Sequence, residues 1–263
     1  MHALARAVVL ATLGLVSGTA AATPGAWSGI GKKGDWARTR FAAADGNKLY
    51  TIESDGAFYV TELPGGAWRK LGKADFGGTK MMWAGGGVVL TLEADGSLYR
   101  INPADASWVR LGKTGDWKDT RCGALLGGKL YSVETNGTLY ETDAATGAWH
   151  AIGKPEFQDT RFMVASGGTL FTIETDGTLY AVRTDGNWAQ VGKKGDYAGT
   201  KLATATDSSV YTIEASGALY ATDGGGWKQI GKSEFGNTKF LVAAGGRLFT
   251  IETDGSLYVI ETR

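Results

Sequence analysis

The stretch TRFAAADGNKLYTIESDGAFY, Thr39–Tyr59, reads as three short strands joined by two tight turns. The pairs Gly46-Asn47 and Asp55-Gly56 are residue types that accept the positive φ angles of two-residue hairpin turns. The runs between these turns are rich in Leu, Tyr, Thr and Ile, which is typical of strands. The stretch therefore predicts a meander of antiparallel strands.

This pattern recurs along the chain at intervals of 39 to 41 residues. Each copy begins with Gly-Lys followed by an acidic and an aromatic residue. It continues with Thr and a basic residue, an apolar run, a Gly-rich turn, a strand ending in Glu, and a second turn. Six such copies predict an all-β fold, a six-bladed β-propeller of four-stranded antiparallel blades. The repeats start near Gly31, Gly72, Gly112, Gly153, Gly192 and Gly231.

A tryptophan stands four residues before each repeat glycine, on the predicted outer fourth strand, where we expect it to pack. The sixth repeat has only five residues after Tyr258, too few for a fourth strand of its own. We predict that the segment around Trp27 supplies this strand, pairs with the last blade and closes the ring. Closure removes the exposed strand edges that invite aggregation. The six tryptophans are Trp27, Trp68, Trp108, Trp149, Trp188 and Trp227.

Residues 1–22 differ from the repeats. They contain Arg6, an apolar run from Ala7 to Val16 and small residues up to Ala22, which is typical of a secretory signal peptide. The apolar run is shorter than the roughly 20 residues that a membrane-spanning helix needs. We expect cleavage near Ala22, a propeller domain over residues 23–263, no membrane span, and a secreted protein, or a periplasmic or cell-surface one if bacterial.

Charge and composition exclude several classes of function. Removing residues 1–22 takes away Arg6, so 27 basic residues become 26 against 27 acidic ones, a net charge of −1. Binding nucleic acid needs a concentrated basic surface, so no nucleic-acid partner is expected. Cys122 is the single cysteine and cannot form an internal disulfide.

The chain offers no catalytic constellation. Its two histidines are His2, in the predicted signal peptide, and His150, on an outer strand. The predicted inner strands carry no acid after the basic residue, so neither a catalytic triad nor a histidine metal cluster is expected. We therefore predict a protein that is not an enzyme and has no cofactor. A Ca²⁺ site at the Asp-Gly turns, with Asp55 or its equivalents as ligands, is the alternative that oxygen chemistry leaves open.

Hairpin spacing also pairs charges. A turn at Gly46-Asn47 places Arg40 opposite Glu53, and the same spacing recurs in all six repeats. We interpret these pairs first as residues that fix the strand register, with ligand contact as the alternative. The other predicted pairs are Lys80–Glu93, Arg121–Glu134, Arg161–Glu174, Lys201–Glu214 and Lys239–Glu252.

The loops that enter the blades alternate between two kinds. Repeats one, three and five read GKKGDW, GKTGDW and GKKGDY, whereas repeats two, four and six have the shorter GKADF, GKPEF and GKSEF. An aromatic ring beside charged groups suits a sugar, because the ring covers the C–H face and the charges hydrogen-bond the hydroxyls. The alternative is that these rings fill the gap between blades. The predicted ligand-binding residues are Lys32, Asp35, Trp36, Arg40, Glu53, Lys113, Asp116, Trp117, Arg121, Glu134, Lys193, Asp196, Tyr197, Lys201 and Glu214.

The W-x-x-[LIV]-G-K motif, the following G-D-W and the LY pairs resemble the tachylectin and tectonin type of propeller lectins over almost all of residues 23–263. This resemblance implies small sugar sites repeated around a ring. The blades are shorter than in tachylectins, and the strand-two glutamate belongs to no signature of that family. Our leading hypothesis is a secreted carbohydrate-binding propeller whose partner is a glycan or glycoconjugate. The alternative is a structural or protein-interaction propeller at the cell surface.

Overall fold

The computed structural model describes residues 23–263, so the predicted signal peptide at residues 1–22 lies outside the described residues. The described chain forms six four-stranded antiparallel sheets, and the predicted six-bladed propeller is confirmed. The first strands of successive blades contact one another around the ring and are therefore the inner strands. The strands are β1 (Trp27–Ile30), β2 (Thr39–Asp45), β3 (Lys48–Glu53), β4 (Phe58–Glu62), β5 (Ala67–Leu71), β6 (Thr79–Gly85), β7 (Val88–Glu93), β8 (Leu98–Ile101), β9 (Trp108–Leu111), β10 (Thr120–Leu126), β11 (Lys129–Glu134), β12 (Leu139–Asp143), β13 (Trp149–Ile152), β14 (Thr160–Ser166), β15 (Thr169–Glu174), β16 (Leu179–Val182), β17 (Trp188–Gln190), β18 (Thr200–Ala205), β19 (Val210–Glu214), β20 (Leu219–Thr222), β21 (Trp227–Gly231), β22 (Thr238–Ala244), β23 (Arg247–Glu252) and β24 (Leu257–Ile260).

Blade 1 is formed by β2 to β5, and blades 2 to 5 follow in groups of four strands. Blade 6 combines β22 to β24 with β1, whose pairing with β24 aligns Trp27 with Ile260 and Ile30 with Leu257. The predicted closure by the segment around Trp27 is thus confirmed. A single 3₁₀ turn, Ser233–Phe235, is the one helical element in the described chain. No helix in residues 23–263 has the length and apolar character to cross a membrane.

The hydrophobic core is divided among the blade junctions. Leu49 of blade 1, for example, packs in one cluster with Phe249 and Ile251 of blade 6, and Leu90 of blade 2 packs in another with Leu130 of blade 3. Leu49, Leu90 and Leu130 are fully buried. Each blade therefore buries both of its faces against neighbours, as the strand composition requires.

The inner hairpins contain a bulge that corrects the predicted charge pairs. Asp45 pairs with Lys48 across the predicted turn, but the register shifts between Thr39 and Phe41, so Thr39 pairs with Glu53 and Arg40 is the extra residue. The same shift occurs in all six blades. A bulge leaves its extra residue out of the ladder and re-aims its side chain. None of the six predicted charge pairs is an ion pair among the described residues.

The re-aimed basic side chain instead reaches the next blade. Arg161 of blade 4 donates to the carbonyl oxygens of Ala198, at 3.2 Å, and of Thr200, at 2.6 Å, in blade 5. Every blade makes this kind of contact to its successor, so the six contacts form a closed ring. The other five are Arg40 to Gly77, Lys80 to Lys118 and Thr120, Arg121 to Gln158, Lys201 to Gly236, and Lys239 to Thr39.

Candidate functional site

The aromatic residue of every entering loop is buried. In the long loops of blades 1, 3 and 5 the rings of Trp36, Trp117 and Tyr197 are 2 to 3% exposed. Trp117 packs among leucines of blades 2 and 3, and its indole Nε1 donates to Thr142 Oγ1 at 3.2 Å. These rings fill the gap between blades, which corrects the expectation of an open stacking face. Ligand binding by the three residues stays a prediction.

The repeat glycine explains why the ring fits. Gly112 has φ of 61°, and a Cβ at this position would lie 2.5 Å from the Trp117 ring. Glycine is therefore required both for the backbone conformation and for the close approach of the ring. The glycine of this Gly-Lys motif therefore belongs to the scaffold.

The acid of each long loop accepts a hydrogen bond from the backbone of the same loop. The carboxylate of Asp35 accepts a hydrogen bond from the backbone N–H of Lys32 at 2.9 Å, and Asp116 and Asp196 accept equivalent bonds from Lys113 and Lys193. Such a bond satisfies a backbone donor in a turn. The side chains of these three lysines are exposed, and sugar contact by them stays a prediction.

The acid of a short loop faces outward. In blade 4 the Glu156 carboxylate accepts a hydrogen bond from the indole Nε1 of Trp188 at 3.0 Å. Trp188 is on the outer strand β17 and is 48% exposed. Glu156 is therefore placed at the open side of the blade, where a ligand can reach it.

The strand-two glutamate has the same setting in each blade. Its Oε1 accepts a hydrogen bond of 2.8 to 2.9 Å from the threonine that pairs with it, as Thr160 does with Glu174. Burial raises the pKa of Glu53, Glu93, Glu134 and Glu174, and the threonine hydrogen bond partly opposes this shift. One carboxylate oxygen of each glutamate is fixed in this way.

Aromatic side chains of the outer strands form the opposite wall. Tyr99 and Trp108 of blade 2 meet edge to face, with ring centroids 5.0 Å apart, and Tyr180 and Trp188 of blade 4 do the same at 5.1 Å. The strand-four tryptophans are 41 to 50% exposed. This corrects the expectation that they only pack, because about half of each ring faces solvent.

Glutamate, tyrosine and tryptophan together line a pocket on each of blades 1 to 4, which we call the blade pocket. The floor and walls come from the entering loop, strand two, strand three and strand four of one blade. The pockets of blades 2 and 4 have volumes of about 350 and 410 Å³, compared with about 190 and 210 Å³ in blades 1 and 3. The blade pockets are therefore larger where the loop is shorter and its ring is phenylalanine.

The blade pockets differ in charge as well. The blade 2 pocket is lined by Asp75, Glu93 and Asp95 and by no basic residue. The blade 4 pocket has more acids, but Lys194 reaches Asp176 at 3.5 Å. In blade 1, Arg38 reaches Asp55 at 3.3 Å. The pockets of blades 2 and 3 are thus lined by acids and by no basic residue, and the blade 2 pocket is the larger of the two.

Sequence reasoning missed the outer aromatic residues and the short loops as parts of a site. Trp108 and Trp188 are expected from the sequence to pack on the outer strands, and Tyr99 and Tyr180 have no predicted role in a site. A usable signal was present: a tryptophan on the outermost strand of a blade has no further layer outside it. Of the predicted residues, Asp35, Trp36 and Glu53 do line one blade pocket, and Asp116, Trp117 and Glu134 line another.

No arrangement of three or more His, Cys, Asp or Glu side chains within residues 23–263 is suited to a metal ion. The turn aspartates serve the backbone: Asp55 Oδ1, for instance, accepts from the N–H of Ala57 at 3.0 Å. The chemistry that the blade pockets offer is therefore that of carboxylates beside aromatic rings.

Comparison with known proteins supports the fold. The family model of the DUF6242 beta propeller domain matches residues 117–232. No curated protein sequence matches the chain. A structure of YCF48 bound to a D1 peptide is similar at 17% identity and a TM-score of 0.59, covering 86% of this chain and 79% of that one.

Two bacterial structures are also similar. A structural genomics protein of unknown function from Bacteroides thetaiotaomicron has 11% identity and a TM-score of 0.61, covering 85% of this chain and 70% of that one. PorZ, a surface component of the type-IX secretion system of Porphyromonas gingivalis, has 12% identity and a TM-score of 0.53, covering 88% of this chain but 33% of PorZ. At such identities these likenesses concern the fold alone.

Proposed function

We propose that this chain is a non-catalytic protein-interaction propeller that works outside the cytoplasm and binds its partner through the blade pockets. The observation that carries the proposal is that blades 1 to 4 each build a pocket from equivalent residues, with an exposed tryptophan at its edge. Repeated pockets on a rigid ring favour binding at several points. Exposed tryptophan and tyrosine are residues that dominate binding energy at protein interfaces.

Two propellers of similar fold agree in kind with this proposal. The YCF48 structure contains a bound D1 peptide, and PorZ is a bacterial surface component of a secretion system. The signal-peptide pattern of residues 1–22 favours export.

A second candidate is glycan binding in the same pockets, as the tachylectin and tectonin resemblance implies. The edge-to-face pairs of tyrosine and tryptophan beside carboxylates favour it, because such pairs also suit sugar rings. Sugar hydroxyls can donate hydrogen bonds to the carboxylates that line the pockets.

Co-purification after crosslinking in cells separates the candidates. We expect a protein partner with the wild type, and its loss with the double variant Trp108→Ala and Trp188→Ala. The matched control is Val109→Ala with Val191→Ala, two exposed apolar residues that do not line the blade 2 and blade 4 pockets. Retention of the partner by the tryptophan variant would overturn the proposal. Binding on a glycan array that the same variant abolishes would favour the second candidate instead.

A further inference from the structure

In blades 4 and 6 the turn aspartate forms an ion pair with the ammonium group of a lysine from the same chain. Lys194, in the loop that enters blade 5, places Nζ 3.5 Å from Asp176 of blade 4, and Lys33, in the loop that enters blade 1, places Nζ 3.1 Å from Asp254 of blade 6. Both lysines come from the following blade and occupy the same position in the repeat. The fold thus uses one geometry twice to bring a lysine to the turn aspartate.

Blade 2 lacks this lysine. The equivalent position in the loop that enters blade 3 is Thr114, whose Oγ1 lies 3.3 Å from Ser97 Oγ and accepts from Arg110. Arg110 forms no ion pair with Asp95, and Asp95 is in none of the ion pairs of the described chain. The carboxylates of Asp75, Glu93 and Asp95 therefore line a pocket of about 350 Å³ with no basic residue among its lining.

Blade 4 keeps free acids in its pocket besides the one that its own lysine contacts. With Lys194 at Asp176, the carboxylates of Glu156, Asp159 and Glu174 remain for a ligand.

The walls of both pockets favour an organic cation over other ligands. Tyr99 with Trp108 and Tyr180 with Trp188 present aromatic rings beside the carboxylates. A cation over the face of such a ring gains from the ring quadrupole, and tryptophan is the best partner. Because Lys194 and Lys33 bring a primary ammonium to the turn aspartate in this geometry, a primary ammonium is the cation that fits both the acids and the rings.

We propose that the pockets of blades 2 and 4 each bind the ammonium group of a lysine side chain from a protein partner. The proposal rests on the proposed function and adds the chemistry that the partner presents. The blade 2 pocket binds more tightly, because no lysine of its own chain competes there. In blade 4 the partner's lysine shares the pocket with Lys194.

The repeat supplies a matched pair of test variants. Thr114→Lys gives blade 2 the internal lysine that blades 4 and 6 have, and Lys194→Thr removes it from blade 4. Both positions are on exposed loops that accept either residue type elsewhere in the molecule, so both variants are expected to fold. The two substitutions predict opposite changes in affinity at two different pockets.

The measurement is an NMR titration of residues 23–263 that follows the indole N–H signals of Trp108 and Trp188. The probe is acetyl-Gly-Gly-Lys-Gly-Gly-amide, and its control is the same peptide with Nε-acetyl-lysine. We expect the lysine peptide alone to shift both signals. Thr114→Lys lowers the affinity measured at Trp108 by up to about fivefold, and Lys194→Thr raises the affinity measured at Trp188 by a similar factor. These changes correspond to the free energy of one partly exposed ion pair.

Three outcomes would overturn the inference: no response to the lysine peptide, an equal response to the acetylated peptide, or titrations that neither substitution alters. N-acetylglucosamine displacing the peptide's effect at the same signals would assign the pockets to sugars. If the crosslinked partner is lost with the tryptophan variant but is insensitive to Thr114→Lys and Lys194→Thr, the proposed function stands and the lysine inference fails.

Discussion

The long loops of blades 1 and 3 and the short loops of blades 2 and 4 start from nearly the same motif and end in different roles. In a long loop the acid forms a hydrogen bond within the loop, because Asp116 accepts from the backbone N–H of Lys113. The ring of Trp117 is 2% exposed between blades. In a short loop the acid is turned outward, as Glu156 is toward Trp188. The pocket over the short loop is nearly twice as large. The longer loop with its larger ring thus goes with a smaller pocket.

Removing the ring of a long loop tests this comparison most severely. Trp117→Ala should lower the free energy of unfolding by about 3 to 5 kcal/mol, because a fully buried indole leaves a cavity between blades 2 and 3. Chemical denaturation measures the change. Trp108→Ala is the matched control, since Trp108 is 48% exposed and should cost only about 1 kcal/mol from its contact with Tyr99. Equal losses would remove the distinction between buried and exposed aromatic residues.

Making a short loop resemble a long one should have a smaller effect. Phe157→Trp should destabilise the protein by about 1 to 3 kcal/mol, because the larger ring overpacks a site that already buries Phe157 to 4% exposure. A structure of the variant should show a blade 4 pocket reduced toward the size found in blade 3. An unchanged pocket volume would show that the ring does not control the size.

Substituting the loop acids should change the free energy of unfolding by less than either aromatic substitution. Asp116→Ala should cost about 1 kcal/mol, since it removes a carboxylate that satisfies a backbone N–H. Glu156→Ala should change the stability by less than about 0.5 kcal/mol, as surface substitutions commonly do. Thermal unfolding of the two variants side by side provides the measurement. A larger loss for Glu156→Ala would contradict the assignment of Asp116 as the structural acid.

The smallest effect is expected at the strand-two glutamates, which both kinds of blade share. Burial raises the pKa of Glu174 above its ordinary value of 4.5, so the folded state binds the proton more tightly than the unfolded state. The stability that this provides is complete below pH 4.5 and is lost as the pH rises through the raised pKa. Glu174→Gln should therefore gain stability relative to the wild type between pH 4 and pH 7. Denaturation curves at the two pH values check this, and a difference that is independent of pH would contradict it.

The fold could be predicted from the sequence because the turn pairs fix the hairpins locally. Gly46-Asn47 and Asp55-Gly56 set the strand partners whatever surrounds them. The bulge at Arg40 could not be predicted in this way, because it depends on the carbonyl of Gly77 in the next blade being within reach. Spacing counted within one hairpin contains no information about that neighbour.

The site was harder to predict than the fold. Trp117 and Trp188 are both tryptophans at repeated positions, yet one is buried and the other is half exposed. What separates them is the layer of chain that lies over each, which is set by blade packing and not by residue type. The sequence predicted a site at the end of the blades where the entering loops lie and favoured the long loops, in which the aromatic ring fills space between blades.

The six contacts from basic side chains to the next blade bear on whether the chain can be circularly permuted. Lys239 of blade 6 contacts Thr39 of blade 1 just as Lys80 of blade 2 contacts Thr120 of blade 3. Ala26 and Glu261 lie side by side, joined through the hydrogen bond from the N–H of Glu261 to the carbonyl of Ala26. All six junctions are thus of one kind, and a short linker can join the segments at Ala26 and Glu261. A circular permutant opened in the outer-strand connection of another blade should assemble the same ring.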